Sequence, residues 1–366
     1  MNNIRDIKNK TEIKKKNYRH IDIILIIFIV CILTSITSNN IQIISILTAS
    51  FIICTTLINW AIPKLNNLQL RQTIREEGPK SHYKKANTAT MGGVLIIPIG
   101  LLTGIIGSED FFYNDKLVGI IIVSLLYMMI GLIDDWKSHQ SKLNKGISGK
   151  TKISLQLIGG IIFLFWCNMK SLISPEITLI DEKIIDFGLL IWPLALFVLV
   201  AQSNATNLTD GLDGLASGCG SIVFTGLALH LLFEQNSNNI GMSIIAIAMA
   251  GSFLGFLIHN RYPAKIFMGD TGSLPIGAIM AAIAIMSDNL VSLFIMSGVF
   301  FLESISVIIQ VLVFKLTKKL KGAGKKIFLM TPIHHHFELS GFSENQIVKG
   351  CYLTTLLLVM VSFVIN

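Results

Sequence analysis

Charge is what this chain has least of. Of its 366 residues 14% are Asp, Glu, Lys or Arg and 52% are hydrophobic, where a soluble domain carries about 25% charged residues. So few charges exclude an ordinary water-soluble fold and point to an integral membrane protein whose apolar runs are helical in length. Cysteine is sparse too. Cys31, Cys54, Cys167, Cys219 and Cys351 are scattered, mostly within apolar runs and with no metal-ligand spacing, so they read as inert buried thiols. The net charge of +8 does not imply nucleic acid, because the basic residues sit in short loops and leave no face for it. A basic start followed by an apolar stretch mimics a signal peptide, but residues 35–40 offer no good small-residue cleavage site, which predicts an uncleaved anchor. No internal repeat is visible, an argument against transporters built from repeats. There is no inter-domain linker and no soluble domain.

What is present is a series of eleven apolar runs, at about 21–37, 41–62, 91–107, 117–133, 153–169, 187–203, 215–233, 240–258, 272–287, 290–314 and 348–365. Several lie near the lower limit of about 17 residues for a span. The loops between them alternate in charge, and one set (1–20, 63–90, 134–152, 204–214, 259–271 and 315–347) holds 26 of the 30 Lys and Arg. Lys/Arg-rich loops face the cytoplasm. The prediction is therefore an all-α polytopic protein with its N-terminus inside, about eleven spans and its C-terminus outside.

The unusual chemistry falls on the same inner loops. Gly131-Leu132-Ile133-Asp134-Asp135-Trp136-Lys137 ends a long apolar run in adjacent carboxylates. An ionisable group at membrane depth costs roughly 2.5–3.5 kcal/mol and is functional by default. Paired carboxylates repel unless a cation lies between them, and hard oxygen ligands suit Mg²⁺, which also binds substrate phosphates. Helix ends in solvated acids are the alternative for this stretch alone. Lysines and hydroxyls in 63–90 lead to a helix start at Thr90-Met91-Gly92-Gly93, a pattern that favours anions but also describes a positive-inside loop with a capped helix. Loop 134–152 adds five lysines, competent point charges for phosphate. Loop 204–214 has no Lys or Arg and is rich in Asn, Asp and Gly, which suits a tight turn or polar ligands; EF-hand spacing is absent. Asp270 stands at the mouth of the next apolar run, as an N-cap or as a metal ligand. Three consecutive histidines, His334, His335 and His336, are separated by about 100° each on a helix and cannot all meet one ion. Imidazole there suits phosphate binding or proton transfer near neutral pH, and no serine elbow supports acyl transfer.

Three motifs, Asn207-Leu208-Thr209-Asp210-Gly211-Leu212-Asp213-Gly214-Leu215-Ala216, Phe267-Met268-Gly269-Asp270-Thr271-Gly272-Ser273-Leu274 and Pro332-Ile333-His334-His335-His336-Phe337-Glu338, resemble the bacterial phospho-N-acetylmuramoyl-pentapeptide transferase family, within the polyprenyl-phosphate sugar-1-phosphate transferases. The likeness runs from about residue 60 to the C-terminus, with motifs in the same order. The histidine block separates the family from a sister transferase of N-acetylglucosamine phosphate, and carboxylates at one face rather than at the midplane argue against the other rival, a transporter for an anionic solute. The chain departs from the family pattern at Ser138, where a lysine is usual and Lys137 precedes it, and at Asn87-Thr88-Ala89-Thr90. The resemblance implies ten family spans over 41–366 and an added helix in a basic segment over 1–40. It implies Mg²⁺ as cofactor with Asp270 as its leading ligand, and a catalytic centre of Asp134, Asp135, Asp270, His334 and His335. It places Lys85, Lys152, Asn207, Asp210, Asp213, Asn260, Phe267, Gln310 and His336 around the substrates, with Phe267 able to stack on uracil. The implied partners are UDP-MurNAc-pentapeptide, undecaprenyl phosphate, the lipid bilayer and a second copy in a homodimer. The implied location is the bacterial inner membrane with the site facing the cytoplasm.

Overall fold

The computed structural model describes residues 41–67, 88–108, 114–141, 146–179, 183–234 and 236–365. Two units are distinguished, Met1–Ser45 and Ile46–Asn366; the run at 21–37 and the candidate Lys85 lie outside the described residues. Among the described residues twelve α-helices follow one another: α1 (Ile41–Asn67), α2 (Gly93–Gly107), α3 (Asp115–Ser141), α4 (Gly149–Met169), α5 (Ile191–Thr209), α6 (Leu215–Phe233), α7 (Ile240–Asn260), α8 (Asp270–Met286), α9 (Leu290–Met296), α10 (Gly298–Lys321), α11 (Ile333–Leu339) and α12 (Glu344–Ile365). Between α4 and α5 lies an antiparallel hairpin of β1 (Glu176–Thr178) and β2 (Ile184–Asp186), with Ile177 opposite Ile185.

Among the described residues eight helices are long and apolar enough to cross a membrane, and α2 and α8 are shorter apolar helices between them. This is an all-α, multi-pass membrane architecture, since helices satisfy every backbone hydrogen bond internally where no water is available. Almost every residue of α6, α7 and α8 is buried. These helices form the core, and α1, α4, α10 and α12 carry most of the exposed large apolar side chains. Small residues let backbones approach, as in other membrane bundles. A Cβ at Gly255 would meet the Phe51 carbonyl oxygen at 2.6 Å, and one at Gly277 would overlap the backbone of Gln202.

One apolar run is not one helix. The stretch 290–314 breaks between α9 and α10 at Ser297 (φ −84°, ψ 11°), whose hydroxyl accepts a hydrogen bond from Gln202 Nε2 at 2.9 Å. A Ser-Gly pair with a polar partner is a recognised cause of a helix break, and hydropathy does not register it. Seven residues of α9 reach only about 10 Å, so α10 alone can span. Loop 204–214 also differs from its sequence reading. Asn204 to Thr209 complete α5, with the Asn204 amide donating to Gln156 Oε1 at 2.8 Å and to the Val200 carbonyl at 2.8 Å.

Candidate active site

The helices alternate in direction, so the C-terminal ends of α3, α5 and α7 and the N-terminal ends of α4, α6 and α8 lie at one end of the bundle. Asp134 and Asp135 close the last turns of α3, Lys152 opens α4, Asn207 ends α5 and Asp270 begins α8. Asp134, Asp135 and Asp270 offer carboxylate oxygens within 4.8 Å of one another.

Each carboxylate has a distinct set of partners. Asp135 caps α8 from another helix: its Oδ1 accepts from the Asp270 amide at 3.0 Å, and its Oδ2 accepts from the Thr271 amide at 3.0 Å and the Thr271 hydroxyl at 2.6 Å. The N-terminus of a helix has unpaired N–H donors and a positive dipole end, so a carboxylate is favoured there. The cap residue itself is Gly269, at φ 72°, and a Cβ on it would overlap the Asp135 carboxylate. Glycine is therefore required both for the left-handed backbone and for the approach of Asp135. Close packing extends to Gly131, where a Cβ would overlap the Asp270 carbonyl, and to Gly93, where it would overlap Gly272. Across this second contact Gly92 and Gly93 donate to the carbonyls of Phe267 and Met268, each at 2.9 Å.

Asp135 thus caps α8, the role the sequence left open for Asp270, and the Asp270 side chain is released for chemistry. Its Oδ1 accepts from Asn207 Nδ2 at 2.8 Å, and its Oδ2 pairs with Lys152. Lys152 Nζ also lies 3.3 Å from Asp134 Oδ2, while Asp134 Oδ1 accepts from the Ile147 amide at 2.9 Å. Among the described residues the cation beside the aspartates is accordingly Lys152; Lys137 is exposed. All-oxygen carboxylate donors on two helices, already gathered around one cationic group, fit a divalent metal with a preference for hard ligands. Asp270 and Asp134 are the donors best placed for it, with both oxygens of Asp135 occupied by α8.

The other predicted residues form two further groups. Asp213 and Asn260 are buried and hold backbone: Asp213 Oδ2 accepts from the Ala264 amide at 2.8 Å. Asn260 Oδ1 accepts from Gly214 N and Ser217 Oγ, and its Nδ2 donates to the Ile266 carbonyl. Together they fix the 210–214 turn against the 261–269 loop, on which Phe267 is half-buried. Asp210 follows α5 directly, its amide bonded to the Asn207 carbonyl. The third group surrounds α11. Gln310 of α10 accepts from the amides of Ile327 and Phe328 and donates to the Phe328 carbonyl, which secures the approach to α11. His334 Nδ1 is 2.9 Å from Glu303 Oε2, His335 Nδ1 is 2.8 Å from Glu338 Oε2, and His336 Nδ1 accepts from the Leu329 amide. The three rings take three different partners.

Sequence reasoning missed Glu303. Its signal was available, as the one acidic residue within the apolar run 290–314, and an ionisable residue in such a run calls for a partner.

Comparison with known proteins agrees with this geometry. Residues 117–288, which run from the first turn of α3 to just past α8 and include all three aspartates, match the family described as Glycosyl transferase family 4. A phospho-N-acetylmuramoyl-pentapeptide-transferase of Prochlorococcus marinus is 50% identical over 321 residues, 87% of each chain. One from another strain of that species is 48% identical over 350 residues, 93% of each chain. One from Gloeothece citriformis is 48% identical over 318 residues, 86% of this chain and 85% of the relative. Identity at this level over nearly the whole length, with the aspartates assembled at one end of the bundle, means that the chain belongs to the phospho-N-acetylmuramoyl-pentapeptide-transferase family.

Proposed function

We propose that the chain transfers phospho-MurNAc-pentapeptide from UDP-MurNAc-pentapeptide to undecaprenyl phosphate, releasing UMP and forming the first lipid-linked intermediate of peptidoglycan synthesis. An oxygen of the lipid phosphate attacks the sugar-linked phosphorus, a new P–O–P bond forms, and the bond to UMP breaks. The observation that carries the reading is the assembly of Asp134, Asp270, Asn207 and Lys152 at one bundle end, in a chain 50% identical to an enzyme of that name.

The residues meet the demands of this reaction in order. One substrate is water-soluble and the other lipid-borne, so the site belongs at a membrane interface; the Lys/Arg-rich loops support the cytoplasmic face, and the bacterial relatives support a bacterial inner membrane. Phosphoryl transfer is catalysed chiefly by positioning and charge neutralisation. Mg²⁺, held by Asp270 with Asp134 and Asp135 beside it, would supply charge neutralisation at the pyrophosphate when bound. Lys152 brings a second positive charge to the same carboxylates, where it can turn to a phosphate oxygen. Asn207 holds the Asp270 carboxylate in orientation. Asp134 is the side chain available as a base toward the lipid phosphate, although positioning contributes more because that phosphate is already largely ionised. A covalent intermediate on an aspartate is the competing scheme. Lys85, Asp210, Phe267, His335 and His336 are assigned to the nucleotide, sugar and phosphates by family resemblance, and a homodimer follows from the same source. Purified protein supplied with UDP-MurNAc-pentapeptide, undecaprenyl phosphate and Mg²⁺ should release UMP. Release with UDP-N-acetylglucosamine instead would replace the reading with the sister activity.

A further inference from the structure

The most deeply placed ionic pair of the described residues is not among the aspartates. Glu303, on the first turns of α10, and His334, at the second position of α11, are each about 1% exposed. Glu303 Oε2 accepts twice from the same residue, from the His334 backbone amide at 3.3 Å and from its Nδ1 at 2.9 Å. The first bond satisfies an amide at the start of α11 that has no partner within its own helix. The second requires that Nδ1 carry a proton, because a carboxylate only accepts. The opposite edge of the ring is then determined: Nε2 is buried and has no hydrogen-bond partner. It faces Gly211, where a Cβ would overlap the imidazole. Gly211 lies in the turn that follows Asn207, the residue bonded to Asp270. Buried polar atoms are rarely left unpaired, and one that is calls for an explanation.

We infer that Glu303 is the positioning residue for His334: it holds the ring so that Nδ1 is protonated and Nε2 is presented, unpartnered, at the turn between the aspartate site and the histidine block. Resting on the transferase reading above, this gives His334 one fixed orientation beside the turn that leads from Asn207, and makes Gly211 the residue whose missing side chain lets that turn close on the ring. The arrangement parallels metal-site histidines, whose second nitrogen is fixed by a carboxylate that itself touches no metal. The other titratable groups around the ring are His335, edge-on at a centroid distance of 4.2 Å, and Asp210 and Asp213 on the facing turn, with Glu344 of α12 accepting from the Asp213 amide.

The test is a double-mutant cycle on the full-length protein in detergent, with UMP release as the readout. Glu303→Gln keeps the shape and an acceptor for the α11 amide, but removes the charge that fixes the ring. Turnover should fall about 10- to 100-fold, the usual range for loss of such an outer partner, while KM for UDP-MurNAc-pentapeptide stays within about twofold. In a His334→Ala background the same change should cost less than about twofold, because Glu303 then has nothing to position. Losses that multiply, or a Glu303→Gln enzyme with unaltered turnover, overturn the inference. A second measurement needs no Glu303 variant: imidazole ¹⁵N spectra of labelled wild-type protein, with the His334 signals identified by their loss in His334→Ala. They should show a protonated Nδ1, and an unprotonated Nδ1 refutes the pairing. Absence of UMP release from wild type would count against the transferase reading alone, since the spectra still test the pair.

Discussion

Replacing Lys152 with Gln removes the ammonium that pairs with both Asp270 and Asp134 and leaves two carboxylates with oxygens within 4.8 Å. Two unit charges at that separation repel by about 3.5 kcal/mol at an effective dielectric of 20 and by about 0.9 kcal/mol in bulk water. The side chains are 13% and 22% exposed, so the cost lies between these limits, on the order of 1–3 kcal/mol, or a few degrees in thermal midpoint. The same repulsion makes the pair a stronger site for a divalent cation once its internal competitor is gone. Mg²⁺ at about 100 times its Kd stabilises by about 2.7 kcal/mol. The midpoint of Lys152→Gln in detergent should therefore fall without Mg²⁺ and recover with millimolar Mg²⁺, by a larger increment than in wild type. Turnover should drop roughly tenfold or more, for a charged hydrogen bond worth about 1.5–3 kcal/mol. Lys137→Gln, altering an exposed side chain, should leave the midpoint unchanged. Equal Mg²⁺ increments in Lys152→Gln and wild type would refute the shared-cation account of this site.

Asp270→Asn should abolish turnover and the Mg²⁺ increment while the protein remains folded, because the cap of α8 is made by Asp135 and the Asp270 backbone; persistence of both responses in calorimetry and UMP release would remove Asp270 from the metal site. Gly131→Ala should prevent stable folding, seen as loss of monodisperse protein on size exclusion, because its methyl would overlap the Asp270 carbonyl; overpacking typically costs about 1–3 kcal/mol and more against backbone. A reporter active only in the cytoplasm, fused after Asn366, should be silent, and activity there would overturn the predicted sidedness.

Much of this was legible in the sequence. Each apolar run from 41 onward found a helix because a bilayer demands length and apolarity, and both are visible in the residues. The break at Ser297, the hairpin at 176–186 and the short α11 were not visible, because a hydroxyl bonded to Gln202, a pair of three-residue strands and a seven-residue helix alter no hydropathy window. Asp134, Asp135 and Asp270 stood out as acids at the ends of apolar runs. Their division of labour did not, since it depends on which carboxylate meets the first turn of α8. Lys152 was one of five lysines in its loop; the resemblance alone singled it out, and its pairing with both Asp134 and Asp270 depends on where the first turn of α4 falls. Glu303 was passed over inside a run read as uninterrupted.

The cap on α8 also has a consequence in time. Among the described residues every donor to Asp135 comes from Asp270 and Thr271, residues made 135 and 136 positions later. At roughly 5–20 residues per second, about 7–27 s of synthesis separate the emergence of α3 from that of its partner. Throughout that interval α3 must rest in or beside the bilayer with the Asp135 carboxylate lacking these partners, a condition tolerable at a helix end and costly at its middle. The pair's place at the inner end of α3 thus serves biogenesis as well as chemistry. Damage to the start of α8 should accordingly appear first as proteolysis of nascent chains, before any change in turnover can be measured.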